Sequence, residues 1–270
     1  MAVDKSFLVR SIQKKESMIV AYCAFTNMPL VVCDEESFND QVWIFDTEAL
    51  LQEFAKSYTD RKILLKGIKF ENKNFLGFFS TLYTIGVNEL VFVGENGKET
   101  IELTDLVRKP DFSKLPKEKQ PVLNPELQLT GLYFMQEASR PVPMEEKTAL
   151  PELQEELASN LYKAKYVVPI ELLEGPESDM EKLQNRKYRL PILKNKNGDV
   201  LQPIFTDPTE FGKFNRENKF KALAMPFAHL TKILIKDSKG FILNPGGFHI
   251  AMPQELIKAI NLQFGEEESK

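Results

Sequence analysis

Two strand-to-helix junctions constrain this chain more than any other feature. They read "VWIFDTEALLQEF" from Val42 and "QPIFTDPTEFGKF" from Gln202. In each, a run of β-branched and aromatic residues gives way within two positions to helical spacing. Asp46 or Thr47 can cap the first helix, and Leu50, Leu51 and Phe54 supply its inward stripe. At the second, Asp207 is a strong N-cap, Pro208 suits the first helical position, and Glu210 falls where a capping box needs it. Phe211 and Phe214 then form the inward face.

The flanking segments repeat the theme. "SMIVAYCAF", "MPLVVCDE" and "KILLKGIKF" read as strands, and "NFLGFFSTLYTIG" as a buried helix. "ELVFVGENGKETIEL" reads as strand, turn and strand about Asn96-Gly97. In the second half, "KYRLPILKNKNGDVLQPIFTD" gives two strands joined at Asn197-Gly198, and "KILIKDSKGFILNPG" gives strand, turn and strand. "NELVFVGENGKETIEL" pairs with "TKILIKDSKGFILNPG" in order, so the halves read as a diverged internal duplication. The plainer reading is that any two small α+β domains share such junctions.

Seven prolines, Pro110 to Pro151, punctuate the middle. "RKPDFSKLPKEKQPVLNP" reads as a linker. "TGLYFMQEASRPVP" is too apolar for a spacer, and is read as a crossover packed on a domain or as an edge strand. "PELQEELASNLYKAKYVVPIEL" follows as helix and strand. The expected organisation is a first α+β domain over 1–110, a linker or crossover over 111–150, a second domain over 151–264 and a solvated tail over 265–270.

With 270 residues, 43% hydrophobic and 27% charged, the chain can bury a real core. Twenty phenylalanines against one tryptophan point to interior aromatic packing. A net charge of -4 argues against nucleic acid as a partner. No long uncharged apolar run offers a membrane span. The N-terminus, with Phe7, Leu8 and Ile12 on one side of a short helix, has no signal-peptide pattern, so a cytoplasmic protein is expected. Cys23 and Cys33 each follow apolar residues and read as buried, inert thiols.

From about Leu157 the chain resembles the N-terminal domain of the SseB family, named for enhanced serine sensitivity. "LYKAKYVVPI", "LPILKNKNGDVLQPIFTDPTEFGKF" and "ILIKDSKGFILNPGG" carry the resemblance over about 100 residues. Together with the internal duplication, it implies an α+β fold of two tandem SseB-like domains, each a small mixed sheet with packed helices. It implies no reaction. The first half keeps Ile44-Phe45-Asp46 and the Asn96-Gly97 strand pair, with no counterpart of Asn244-Pro245 in its sequence.

"GFILNPGG", Gly240 to Gly247, is rich enough in glycine to raise a phosphate cradle. It has neither GxxxxGK[ST] nor GxGxxG, and Pro245 removes a backbone donor. The next helix begins only near Pro253. The segment reads as a turn closing a strand. His229 and His249 lack metal-ligand spacing, and the carboxylates Asp46, Glu48, Asp207 and Glu210 are explained as helix-start residues. No cofactor, metal or catalytic set is expected. Arg186, Lys187, Arg189, Lys194, Lys196, Arg216, Lys219 and Lys221 read as an ordinary solvated surface, with an anionic-partner patch as the alternative.

The chain therefore reads as a non-catalytic interaction or accessory protein whose partner is another protein or a second copy. Strand edges near Asn96-Gly97 and Asn244-Pro245 are the contact candidates. The alternative is a small-metabolite or anion-binding module with a groove near Phe205, Asp207 and Asn244. Candidate ligand or partner residues are Phe205, Thr206, Asp207, Asn244, Pro245 and Gly246.

Overall fold

The computed structural model describes residues 5–173 and 188–265. Arg186, Lys187 and the tail beyond Gly265 lie outside them. Contacts divide the chain into two units, residues 1–120 with 128–154, and residues 121–127 with 155–270. Both are mixtures of helix and sheet.

The first unit opens with α1 (Lys5–Gln13), β1 (Ser17–Cys23), β2 (Met28–Pro29), β3 (Val31–Cys33) and β4 (Asp40–Phe45). Next come α2 (Glu48–Asp60), β5 (Leu65–Glu71), α3 (Phe75–Leu82), β6 (Glu89–Gly94), β7 (Gly97–Glu102) and α4 (Leu103–Leu106). Thr47, not Asp46, is the N-cap of α2, its hydroxyl accepting the Leu50 N–H. β1 pairs antiparallel with β5, β2 and β4, and β3 pairs antiparallel with β4. β4 runs parallel to β6, which turns back antiparallel into β7. A parallel pair needs a crossover, and α2, β5 and α3 supply it. Ile19, Ala21, Cys23, Phe45 and Leu51 share one core cluster, with Phe54 packed against it.

The second unit uses β8 (Lys165–Leu172), β9 (Tyr188–Arg189), β10 (Leu193–Lys194) and β11 (Val200–Ile204). These lead to α7 (Pro208–Phe214), β12 (Lys221–Pro226), β13 (Gly240–Leu243), β14 (Ile250–Pro253) and α8 (Gln254–Gly265). The middle region contributes α5 (Pro125–Ala138) and α6 (Leu150–Lys163). β8 pairs antiparallel with β12 and β9, and touches the end of β11 at Val167 and Phe205. β10 pairs antiparallel with β11, β11 runs parallel to β13, and β13 turns back into β14. The antiparallel, parallel, antiparallel run β3–β4–β6–β7 of the first unit recurs here as β10–β11–β13–β14, but the strands fall into a four-stranded and a three-stranded sheet where the first unit has one sheet of seven. Tyr166, Phe205, Phe227, Phe241 and Phe248 fill its interior.

Several expectations change here. "TGLYFMQEASRPVP" is neither edge strand nor spacer: most of it lies in helix α5. The run Thr231–Ile235 is not a strand. A 3-10 segment covers Phe227–Ile233, and the buried Gln202 amide takes up the backbone beyond it, donating to Ile233 O and accepting from Ile235 N. Ile250–Pro253 forms a strand where a direct run into α8 was expected. The Asn96-Gly97 turn therefore corresponds in position not to Lys239-Gly240 but to the Asn244–Gly247 turn. Both join the last two strands of a sheet, with six residues between the paired Phe92 and Glu99 and between the paired Leu243 and Ile250. Phe7 points out, while Leu8 and Ile12 are buried; Cys23 is buried, but Cys33 is exposed.

Candidate functional site

The six residues singled out in the sequence come together at the end of β11 and the start of the β13–β14 turn. The parallel pairing of β11 with β13 continues one step further, through Asn244 N–H to Ile204 O at 3.0 Å. That step sets the Asn244 side chain beside Thr206. Asn244 Oδ1 accepts the Thr206 N–H at 3.0 Å, and its Nδ2 donates to Thr206 Oγ1 at 2.9 Å. Thr206 Oγ1 donates to Asp207 Oδ2 at 2.7 Å. Asp207 Oδ1 accepts from Thr209 N at 2.8 Å and Glu210 N at 3.0 Å, capping α7 as its sequence position demands.

The turn is held from within. Asn244 sits at φ 47°, a left-handed backbone that asparagine tolerates better than most residues. Its carbonyl accepts from Gly247 N at 2.9 Å and His249 N at 3.1 Å. Phe205, Thr206, Asp207 and Asn244 are each 0% exposed. Their polar groups face one another, so the four build a buried latch and do not line an open surface. What solvent meets is the crest of the turn: Pro245 is half-buried, and Gly246 and His249 are exposed. His229 is exposed as well.

Sequence reasoning missed Glu210 as a buried carboxylate. The capping-box bond back to Asp207 is not its role. Its Oε1 pairs with Lys213, while Oε2 is buried without a hydrogen-bond partner. Burial raises its pKa, Asp207 adds to the rise, and Lys213 opposes it. Gly247 packs against this carboxylate: a Cβ there would stand 2.8 Å from Glu210 Oε2. A side chain at Gly247 would force that carboxylate to shift, so close packing accounts for the glycine without a phosphate.

Asn124 was not a candidate either. Its Nδ2 donates to Thr206 O at 2.6 Å and to Lys165 O at 2.7 Å, tying residues 121–127 to the latch. Beside it opens a cavity of about 240 Å³, lined by Leu123, Asn124, Pro125, Glu126, Asn160 and Lys163 among others. Only the pairing of Asn124 with Pro125 at a helix start could have marked this place in the sequence. Among the described residues, no group of three or more His, Cys, Asp or Glu side chains is placed to hold a metal ion. No helix among them is long and apolar enough to cross a membrane.

Comparison with known proteins adds a family signal to this geometry. Residues 145–259 match the family model described as the SseB protein N-terminal domain. The match takes in the latch, the turn and the strands that carry them. Among characterised proteins, none matches significantly. Two solved structures align with most of the chain: Tic22 from Plasmodium falciparum, at 14% identity over 96% of this chain and 98% of that one, and Anabaena Tic22 (protein transport), at 8% identity over 85% of each. Both superpose with a TM-score of 0.21, too low to define a common fold.

Proposed function

We infer that this chain is a non-catalytic, cytoplasmic protein-interaction or accessory protein, working with a protein partner or a second copy of itself. The observation that carries this reading is the latch. The side chains best suited to chemistry, Thr206, Asp207 and Asn244, are buried and committed to positioning backbone. A catalytic acid or base needs contact with substrate, and these groups face the protein interior. The latch instead holds Pro245, Gly246 and His249 outward as a fixed crest, a form suited to recognition by another protein. The repeated strand pairings further favour two tandem SseB-like domains, over 1–110 and 151–264, with 111–150 crossing between them. In this reading the first is a diverged copy without the asparagine and proline.

A second reading rests on the cavity beside Asn124. Lys163 would favour a small anionic metabolite there, beside the Asn124 side chain that holds the Thr206 carbonyl. Native mass spectrometry of the protein, gently purified from its natural source, separates the two. The interaction reading expects the mass of a protein complex or a dimer. A small adduct lost on Lys163→Ala would favour the metabolite. A bare monomer would count against both.

A further inference from the structure

The hairpin loop joining β3 to β4 carries an aromatic side chain where hairpin geometry favours glycine. In the second unit, the matching loop, Asn195–Asp199 between β10 and β11, closes with Asn195 N–H on Asp199 O. Its next-to-last residue is Gly198, at φ 83°. In the first unit, the loop Asp34–Asn39 closes with Asp34 N–H on Asn39 O at 2.9 Å. Its next-to-last residue is Phe38, at φ 57°. Hairpin loops of three to five residues commonly need one left-handed residue, and glycine fills it without steric cost. A bulky residue there is a genuine outlier.

The side chain gains nothing inside the fold to offset that strain. Phe38 is 77% exposed. The other non-glycine residues with positive φ among those described are asparagines, a lysine and a histidine, all polar. The loop itself is firmly built. Asp34 Oδ1 accepts from Glu36 N at 3.2 Å, Ser37 N at 2.8 Å and Ser37 Oγ at 2.9 Å, and Phe38 N–H donates to Asp34 O at 2.9 Å. Behind it, Asn39 Nδ2 donates to Glu89 Oε1, and Asn88 Nδ2 donates to Asn39 Oδ1. The ring is therefore presented, not trailing from a loose end. Strain held at an exposed position by rigid surroundings is the pattern of a recognition element.

Charge around the ring narrows the partner. Glu35 and Glu36 are exposed on the same loop. The bonds from Ser37 hold the Asp34 carboxyl below its ordinary pKa, so it too is anionic; Lys98 is near enough to reinforce this and to offset part of the negative field. We propose that Phe38 is a docking knob for a protein partner offering an apolar pocket rimmed by lysine or arginine side chains. An aromatic anchor in such a pocket supplies most of the affinity, and the opposed charges set orientation. This rests on the protein-interaction reading but concerns a different surface from the β13–β14 crest.

The test selects phage-displayed random peptides on the full chain and measures their affinity by fluorescence anisotropy, for wild type and for the Phe38→Gly, Phe38→Trp and Gly246→Trp variants. Enriched peptides are expected to combine apolar residues with lysine or arginine. They should bind Phe38→Gly at least about tenfold more weakly and Phe38→Trp nearly as well as wild type. The midpoint of thermal unfolding of Phe38→Gly should be unchanged or higher, because strain is relieved and no packing is lost. Peptides that bind Phe38→Gly like wild type overturn the knob and leave the interaction reading standing, more so if Gly246→Trp weakens them. A lowered unfolding midpoint in Phe38→Gly overturns it as well, since the ring would then be structural. Failure to enrich any peptide overturns the knob and counts against the broader reading too.

Discussion

Replacing Asn244 with alanine should damage the second unit far more than an ordinary turn substitution. The Thr206 N–H loses its acceptor in a fully buried setting, and an unpaired buried donor costs about 1–3 kcal/mol. Thr206 Oγ1 loses the bond from Asn244 Nδ2, a further ~1 kcal/mol. Alanine must also adopt the left-handed backbone that Asn244 holds at φ 47°, at about 1–2 kcal/mol. Together these give roughly 3–6 kcal/mol, a large part of the stability of a typical domain. Asn244→Gly removes the same hydrogen bonds but relieves the backbone, so it should be milder by about 1 kcal/mol. Urea unfolding followed by circular dichroism measures the loss. Hydrogen exchange with mass spectrometry should show reduced protection in peptides covering β11 and β13. Asn244→Ala within about 1 kcal/mol of wild type, or unchanged protection at Thr206, would refute the latch.

Glu210 gives a pH prediction. Its folded pKa is raised, chiefly by burial, so the folded state holds this proton more tightly than the unfolded chain. Stability should therefore fall as pH rises from the ordinary carboxylate range through the raised value, then level off. Glu210→Gln should flatten that part of a stability profile measured by urea titration at stepped pH. Gly247→Ala should cost about 1–3 kcal/mol in the same assay, because the added methyl meets Glu210 Oε2. Combining it with Glu210→Ala should recover much of that loss, since the two positions are in contact.

The parts legible in the sequence were those set by local chemistry. Thr47 and Asp207 cap their helices because a short polar side chain before a helical stripe has few other uses. Asn96-Gly97 turns a hairpin for an equally local reason. The errors arose where distant groups decide. Thr231–Ile235 has the composition of a strand, but the Gln202 amide occupies its backbone. α5 was obscured by the prolines on either side of it. β14 is only four residues long and runs directly into α8. At the candidate site, the family resemblance grouped Asn244 with Phe205, Thr206 and Asp207, but their complete burial was not legible. Whether a polar cluster faces solvent or its own neighbours depends on packing, here by Asn124 and Glu210, which lie up to 120 positions from the turn.

Site-specific photo-crosslinking in extract from the natural source tests the central claim most directly. Benzoylphenylalanine is placed at position 38, at position 246 and, as an exposed control on α8, at position 258. Ultraviolet irradiation should yield discrete protein adducts from positions 38 and 246 and none from 258, with the adducts identified by mass spectrometry. No adduct at either test position, together with a small molecule retained beside Lys163, would contradict an interaction protein and favour a metabolite-binding one.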